Sequence, residues 1–180
     1  MTTYVALLRG VNVGGKKKVA MADLRGLLTD LGFQDGQSLL QSGNLVFRTE
    51  ARSGDELEGL LEAETERRLG LSTTFFLRSA DEWRAIVAAN PFREAAERDP
   101  ARLLVVALKD APSAGVVEAL RDAITGPETV RAEGRQLYAV YPDGIGRSRL
   151  TLDLIEGKLG TRGTGRNWNT ALKLATAASG

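Results

Sequence analysis

Ser38-Leu39-Leu40-Gln41-Ser42-Gly43-Asn44-Leu45-Val46-Phe47-Arg48-Thr49 is the stretch that decides the fold. Ser38 to Gln41 and Asn44 to Thr49 read as two strands, and Ser42-Gly43 between them is a two-residue hairpin signal. A hairpin here excludes a sheet built only of parallel strands, whose connections need long crossovers. Upstream, Thr3 to Leu8 is a short buried strand, and Met21, Leu24, Leu28 and Leu31 recur at helical spacing with Leu27 beside them. Downstream, Glu50 to Glu66 is an acidic helix with a thin stripe of Leu57, Leu60 and Leu61, and Thr73 to Leu77 is β-branched and aromatic, hence a strand. The order βαββαβ is that of a ferredoxin-like unit, assigned to residues 1–78.

Residues 79–102 read as a helix and a linker. Ser79-Ala80-Asp81-Glu82 has the form of a capping box ahead of Trp83, Ile86 and Val87. Asn90-Pro91 ends that helix, and Arg93 to Arg102 is polar and charged. The second subdomain spans residues 103–180. Leu103 to Leu108 is a buried strand, Pro112-Ser113 opens a helix, and Thr129 to Ala132 with Gln136 to Tyr141 forms a second hairpin. Thr151 caps a short helix through Leu159. Gly163 to Thr170 reads as a loop, with Asn167 as the N-cap of a last helix that turns Trp168, Ala171, Leu172 and Ala175 to one side. The fold expected is therefore α+β, a tandem of two small subdomains. The first is ferredoxin-like (βαββαβ), and the second is a related βαββα unit with a C-terminal helix.

Composition limits the chemistry. The 180 residues contain neither histidine nor cysteine, which removes imidazole bases, thiol nucleophiles and the commonest transition-metal ligands together. No metal and no cofactor is expected. A net charge of +1 gives no general attraction for polyanions, so any such attraction must be local. No apolar run is long enough to span a bilayer, and the N-terminus lacks the form of a signal peptide, so a cytoplasmic location is expected.

The chemistry-bearing stretch is Leu7-Leu8-Arg9-Gly10-Val11-Asn12-Val13-Gly14-Gly15-Lys16-Lys17-Lys18, an apolar strand end followed by a basic glycine loop and a helix. Backbone N–H groups and a helix N-terminus make such a place favourable for anions. Gly10 to Lys16 fits G-x-x-x-x-G-K by letter, but Lys17 stands where a P-loop needs a hydroxyl, the helix starts late, and a hairpin follows. A P-loop NTPase is set aside. In a ferredoxin-like sheet the first loop and the hairpin turn share one end, so Arg9, Asn12, Lys16 and Lys18 should share a rim with Gln41, Ser42 and Asn44. Near the C-terminus, Arg166 and Asn169 lie in a locally positive stretch, with six basic residues against three acidic ones from Asp143 onward. Tyr4 and Phe47 are candidate base-stacking aromatics on the sheet of an RNA-binding unit.

"LLRGVNVGGKKKVAMADLR", "QSGNLVF", "NPF" at 90–92, "SRLTLDLIEGKLG" at 148–160 and "RNWNTALKL" together resemble the bacterial family known as domain of unknown function 1697. The resemblance runs over nearly the whole chain. It implies two small α+β subdomains, the first ferredoxin-like, and it brings no activity with it. The chain departs from the family pattern at Gly163-Thr164-Gly165 and at Arg149, where lysine is common.

The functional expectation is a binding module for a phosphorylated or nucleotide-like anion, RNA included. Its ligand contacts are Arg9, Asn12, Lys16, Lys18, Gln41, Ser42, Asn44, Arg166 and Asn169. The alternatives are an enzyme using a lysine or a carboxylate as acid or base at the same rim, with no catalytic residue identified, and a homodimeric protein-interaction module. A membrane partner is not expected.

Overall fold

The computed structural model, which describes residues 1–12, 18–50 and 52–180, forms a hairpin at this stretch, with its first strand starting four residues earlier than the expected Ser38 to Gln41. Strand β2 (Gln34–Leu39) pairs antiparallel with β3 (Asn44–Thr49), with Leu39 opposite Asn44. The turn between them is Leu40 to Gly43, longer than the two residues expected. The reason is that β2 is a polar, largely exposed edge strand whose position the apolar pattern does not mark. β3 also pairs with β1 (Thr2–Leu8), and β1 with β4 (Phe75–Ser79), giving the antiparallel order β2-β3-β1-β4. This is the ferredoxin-like order.

Side chains alternate across a strand, and the register turns Tyr4, Ala6 and Leu8 to the same face as Leu45, Phe47, Phe75 and Leu77. Helices α1 (Met21–Asp30) and α2 (Gly54–Leu69) cover that face, adding Leu24, Leu28, Leu57 and Leu61 to one core. Tyr4 and Phe47 are therefore core residues rather than base-stacking platforms. Phe47 stacks on Phe33 at 4.8 Å, and the Tyr4 hydroxyl donates to the Arg52 carbonyl at 2.7 Å. The opposite face, with Val5, Leu7, Val46 and Phe76, is buried as well. The outer edge of β4 is met by α2: Glu62 accepts from the Phe75 N–H and Glu58 from the Leu77 N–H, both at 2.8 Å. Occupying an edge in this way blunts its capacity to pair with another chain.

The predicted capping box is formed in both arms. The Glu82 N–H donates to Ser79 Oγ at 3.1 Å and the Ser79 N–H donates to the Glu82 carboxylate at 2.9 Å, opening α3 (Ala80–Ala88). Arg93 to Arg102, read from sequence as a linker, holds α4 (Arg93–Arg98) and a 3-10 turn at Pro100–Arg102.

The second half repeats the plan of the first. β5 (Leu103–Leu108), α5 (Ala114–Ala123), β6 (Thr129–Glu133), β7 (Gln136–Val140), α6 (Leu152–Leu159) and β8 (Gly163–Asn167) give the antiparallel order β6-β7-β5-β8. The expected βαββα unit thus gains a closing strand, β8, where the sequence reads as a loop. Its residues carry no apolar alternation because two of them are glycines pressed against β5: a Cβ on Gly163 would lie 2.9 Å from Val106 Cγ1 and 3.1 Å from the Ala107 carbonyl oxygen. Registers agree between the halves. Val5 faces Arg78 across β1 and β4, and Val105 faces Arg166 across β5 and β8. Each closing strand then hands over to a helix through a capping residue, Ser79 before α3 and Asn167 before α7 (Trp168–Ser179).

The chain divides into two compact units, Met1–Ala85 with Lys173–Gly180, and Ile86–Leu172. Within α7, Trp168, Ala171, Leu174 and Ala178 are buried, whereas Leu172 is 43% exposed. The expected pairing of Trp168 with Leu172 is corrected: at 3.6 residues per turn Trp168 sits at one margin of the buried stripe, and Leu172 falls beyond it. Among the described residues no helix is long and apolar enough to cross a membrane.

Candidate functional site

The end of β1 and the β2–β3 turn meet through the backbone, as the Leu8 N–H donates to the Gly43 carbonyl at 2.9 Å. Gly43 has φ +85°, and a Cβ there would lie 2.6 Å from Val11 Cγ2 and 2.9 Å from Leu8 Cβ. Only glycine meets both demands, conformation and close approach. The shared end inferred from topology is present.

Asn12 is the clamp of this rim. It lies in the left-handed region at φ +56°, which asparagine tolerates better than most residues. Its Oδ1 accepts from the Val19 N–H at 2.8 Å, and its Nδ2 donates to the Val19 carbonyl at 2.9 Å and to the Gln41 carbonyl at 2.7 Å. One side chain thereby fixes both ends of the segment between residues 12 and 19 and ties it to the β2–β3 turn. Lys16 lies outside the described residues. Lys18 is exposed, and it lines an open depression of about 510 Å³ together with Asn12, Val19, Ala20 and Gln41.

Ala20 is also the N-cap of α1. Among the described residues no side chain caps this helix, whereas Ser53, Ser113 and Thr151 cap α2, α5 and α6 through their hydroxyls. Asp23 supplies a negative charge in the first turn of α1.

Asn44 and Arg166 have structural occupations, and the backbone of Arg9 does too. Asn44 is fully buried and its Nδ2 donates to the Leu39 carbonyl at 2.9 Å and to Ser42 Oγ at 3.0 Å, holding the turn from inside. The Arg9 N–H donates to the Thr74 carbonyl at 3.0 Å, and the Arg9 carbonyl accepts from Thr73 Oγ1 at 2.8 Å. Arg166 belongs to the second unit and is buried, against the expectation that it adds to a positive surface. Its Nη1 donates to Thr164 Oγ1 at 2.9 Å and to the Gly165 carbonyl at 2.8 Å. Burial pulls its pKa down to about 10. β8 is the cause, since it turns position 166 inward beside Val105. Asn169 is exposed in the first turn of α7. What sequence reasoning passed over at this rim is the alanine at the N-cap of α1, and its signal is an absence: no Ser, Thr, Asp or Asn directly precedes the apolar repeat.

No curated protein matches the chain. Among solved structures it is similar to the conserved bacterial protein SP0830 from Streptococcus pneumoniae, with 26% identity, 98% of each chain covered and a TM-score of 0.76. The family described as Protein of unknown function (DUF1697) matches residues 1–138. With more than half of the sequence matched and the two-unit fold shared with a solved structure, the chain belongs to that family.

Proposed function

We propose that the protein is a binding module for a phosphorylated or nucleotide-like anion held at the first-unit rim. The observation that carries this reading is the N-terminus of α1. Its first turn has no side-chain cap among the described residues and opens where Lys18, Asn12 and Gln41 line a depression. The first N–H groups of a helix have no partner within the helix, and the helix dipole makes their end positive. A phosphate oxygen is suited to both, and a lysine beside it adds a charge-assisted bond. The sequence adds Lys16 and Lys17 between Asn12 and Val19, the residue whose backbone Asn12 holds. Arg166 takes no part in this reading because it is buried.

The test compares the native chain with Lys16→Glu/Lys18→Glu in thermal unfolding against rising concentrations of AMP, a sugar phosphate and inorganic phosphate. Ligand at a hundredfold excess over Kd should stabilise the native chain by about 2.7 kcal/mol. The charge-reversed chain should lose that response while keeping its unliganded midpoint. A single-stranded RNA oligonucleotide is the second arm: its affinity should fall with salt, with a slope that counts the phosphates neutralised. Equal responses from both chains would remove the rim from the binding site.

A further inference from the structure

The geometry points to a second ligand site in the second unit, a pocket for a small amphipathic anion: a flat apolar body carrying one carboxylate or phosphate. The pocket, about 620 Å³ in volume, lies where α4 and the 3-10 turn face the start of β6 and the end of β7. That volume suits a small organic molecule. Phe92, Val140 and Pro142 give it an apolar floor, and Arg93, Arg98 and Arg102 stand around it.

Two details make this a built pocket. Pro91 and Phe92 of the Asn90-Pro91-Phe92 stretch, whose role the rim leaves unexplained, line it. Asn90 is buried, and its amide grips Phe92 from both sides. The Phe92 N–H donates to Asn90 Oδ1 at 3.0 Å, and Asn90 Nδ2 donates to the Phe92 carbonyl at 3.3 Å. The aromatic residue is thus held in place by its own turn. Arg102 is fixed as well, donating through Nη1 to the Pro142 carbonyl at 2.7 Å and pairing through Nε with Asp99 at 3.3 Å. Arg98 pairs with Glu94 at 2.9 Å, and Arg93 has no ion pair among the described residues. Three guanidinium groups against two carboxylates leave one positive charge over an apolar floor. A planar guanidinium binds carboxylate or phosphate through two parallel bonds, and it also lies well against a flat ring. Inorganic phosphate would leave the floor wet, and an uncharged aromatic would leave Arg93 unmet.

The experiment is calorimetric titration of the full chain with phenyl phosphate, benzoate, phenol and inorganic phosphate. Phenyl phosphate or benzoate should bind saturably, at least about tenfold tighter than phenol or inorganic phosphate. The exposed pair Arg93→Gln/Arg98→Gln should weaken that binding by about tenfold or more. Ala95→Trp, which fills the pocket, should abolish it. Lys16→Glu/Lys18→Glu should leave it unchanged, which separates this site from the rim. The better of the two anions names the headgroup. The proposal is overturned if neither aromatic anion saturates, if inorganic phosphate binds as well as phenyl phosphate, or if the arginine variant binds like the native chain.

Discussion

Asn12 is the residue on which the rim most depends, and its side chain is fully committed to backbone groups of Val19 and Gln41. Alanine there removes three hydrogen bonds and places a Cβ-bearing residue without amide help at φ +56°. The expected loss is on the order of 2 kcal/mol, read as a shift in the urea midpoint. Asn12→Gly relieves the backbone term but restores no bond, so it should recover only a part of that loss. If the glycine variant were as stable as the native chain, the clamp would be ornamental. Asp23 tests the electrostatics of the same place. Asp23→Asn removes a negative charge from the first turn of α1 and should strengthen anion binding at the rim about two- to fivefold at low salt. Titration with AMP reads the effect, and weaker binding would contradict the proposed site. At this scale the sequence brings Asn12 together with Gln41, but it does not tell how they are used, and it places the buried Arg166 on the surface. Asn12 and Asn44 both look like ligand contacts in the sequence, yet the amide of each is engaged inside the turn, Asn12 by backbone and Asn44 by the Leu39 carbonyl and Ser42 Oγ, because a chain turning this tightly leaves carbonyls that must find donors.

At the scale of elements, legibility followed hydrophobic pattern and capping chemistry. β3 and β5 have the boundaries that their apolar runs predict, and the Ser79–Glu82 box and the Asn167 cap form as their spacing requires. β8 escaped because its determinant is the volume missing from two glycines, which no periodicity records. That account can be checked by filling the space. On Gly163 a Cβ meets Val106 Cγ1 at 2.9 Å, Leu108 Cδ2 at 3.0 Å and the Ala107 carbonyl oxygen at 3.1 Å, and backbone yields little. On Gly165 its three nearest neighbours are all Leu104 side-chain atoms, the closest at 2.9 Å, and Leu104 is partly exposed. Gly163→Ala should therefore cost about 1–3 kcal/mol and Gly165→Ala clearly less. Chemical denaturation of the two variants decides it, and the reverse ranking would mean that β8 packs otherwise. The same blindness hid Arg166: without β8, nothing in the sequence turns that side chain inward.

For the whole molecule, the order of elements was legible because βαββ recurs twice, and the duplicated register sharpens the point: Arg78 and Arg166 occupy matching places on the two closing strands, and both are buried. Burial of polar groups in the second unit also sets how the fold responds to alkali. Tyr138 donates to the Ile86 carbonyl at 2.5 Å and Tyr141 to the Leu150 carbonyl at 3.0 Å. Burial, chiefly, pushes both pKa values up from 10.0 to about 12. Below pH 10 each phenol is protonated in the folded and the unfolded chain alike, so the native bonds count in full. Between pH 10 and about 12 the unfolded chain releases these protons first, and stability falls as pH rises. Each tyrosine should account for on the order of 2 kcal/mol across that window. Arg166 acts in the opposite sense, because its pKa is lowered in the fold and the unfolded chain holds its proton longer. Subtracting the urea-midpoint profile of Tyr138→Phe/Tyr141→Phe from that of the native chain cancels the arginine and leaves the tyrosines. The difference should be flat below pH 10 and should shrink above it. A difference that stays constant to pH 12 would show that neither phenol is held neutral by the fold.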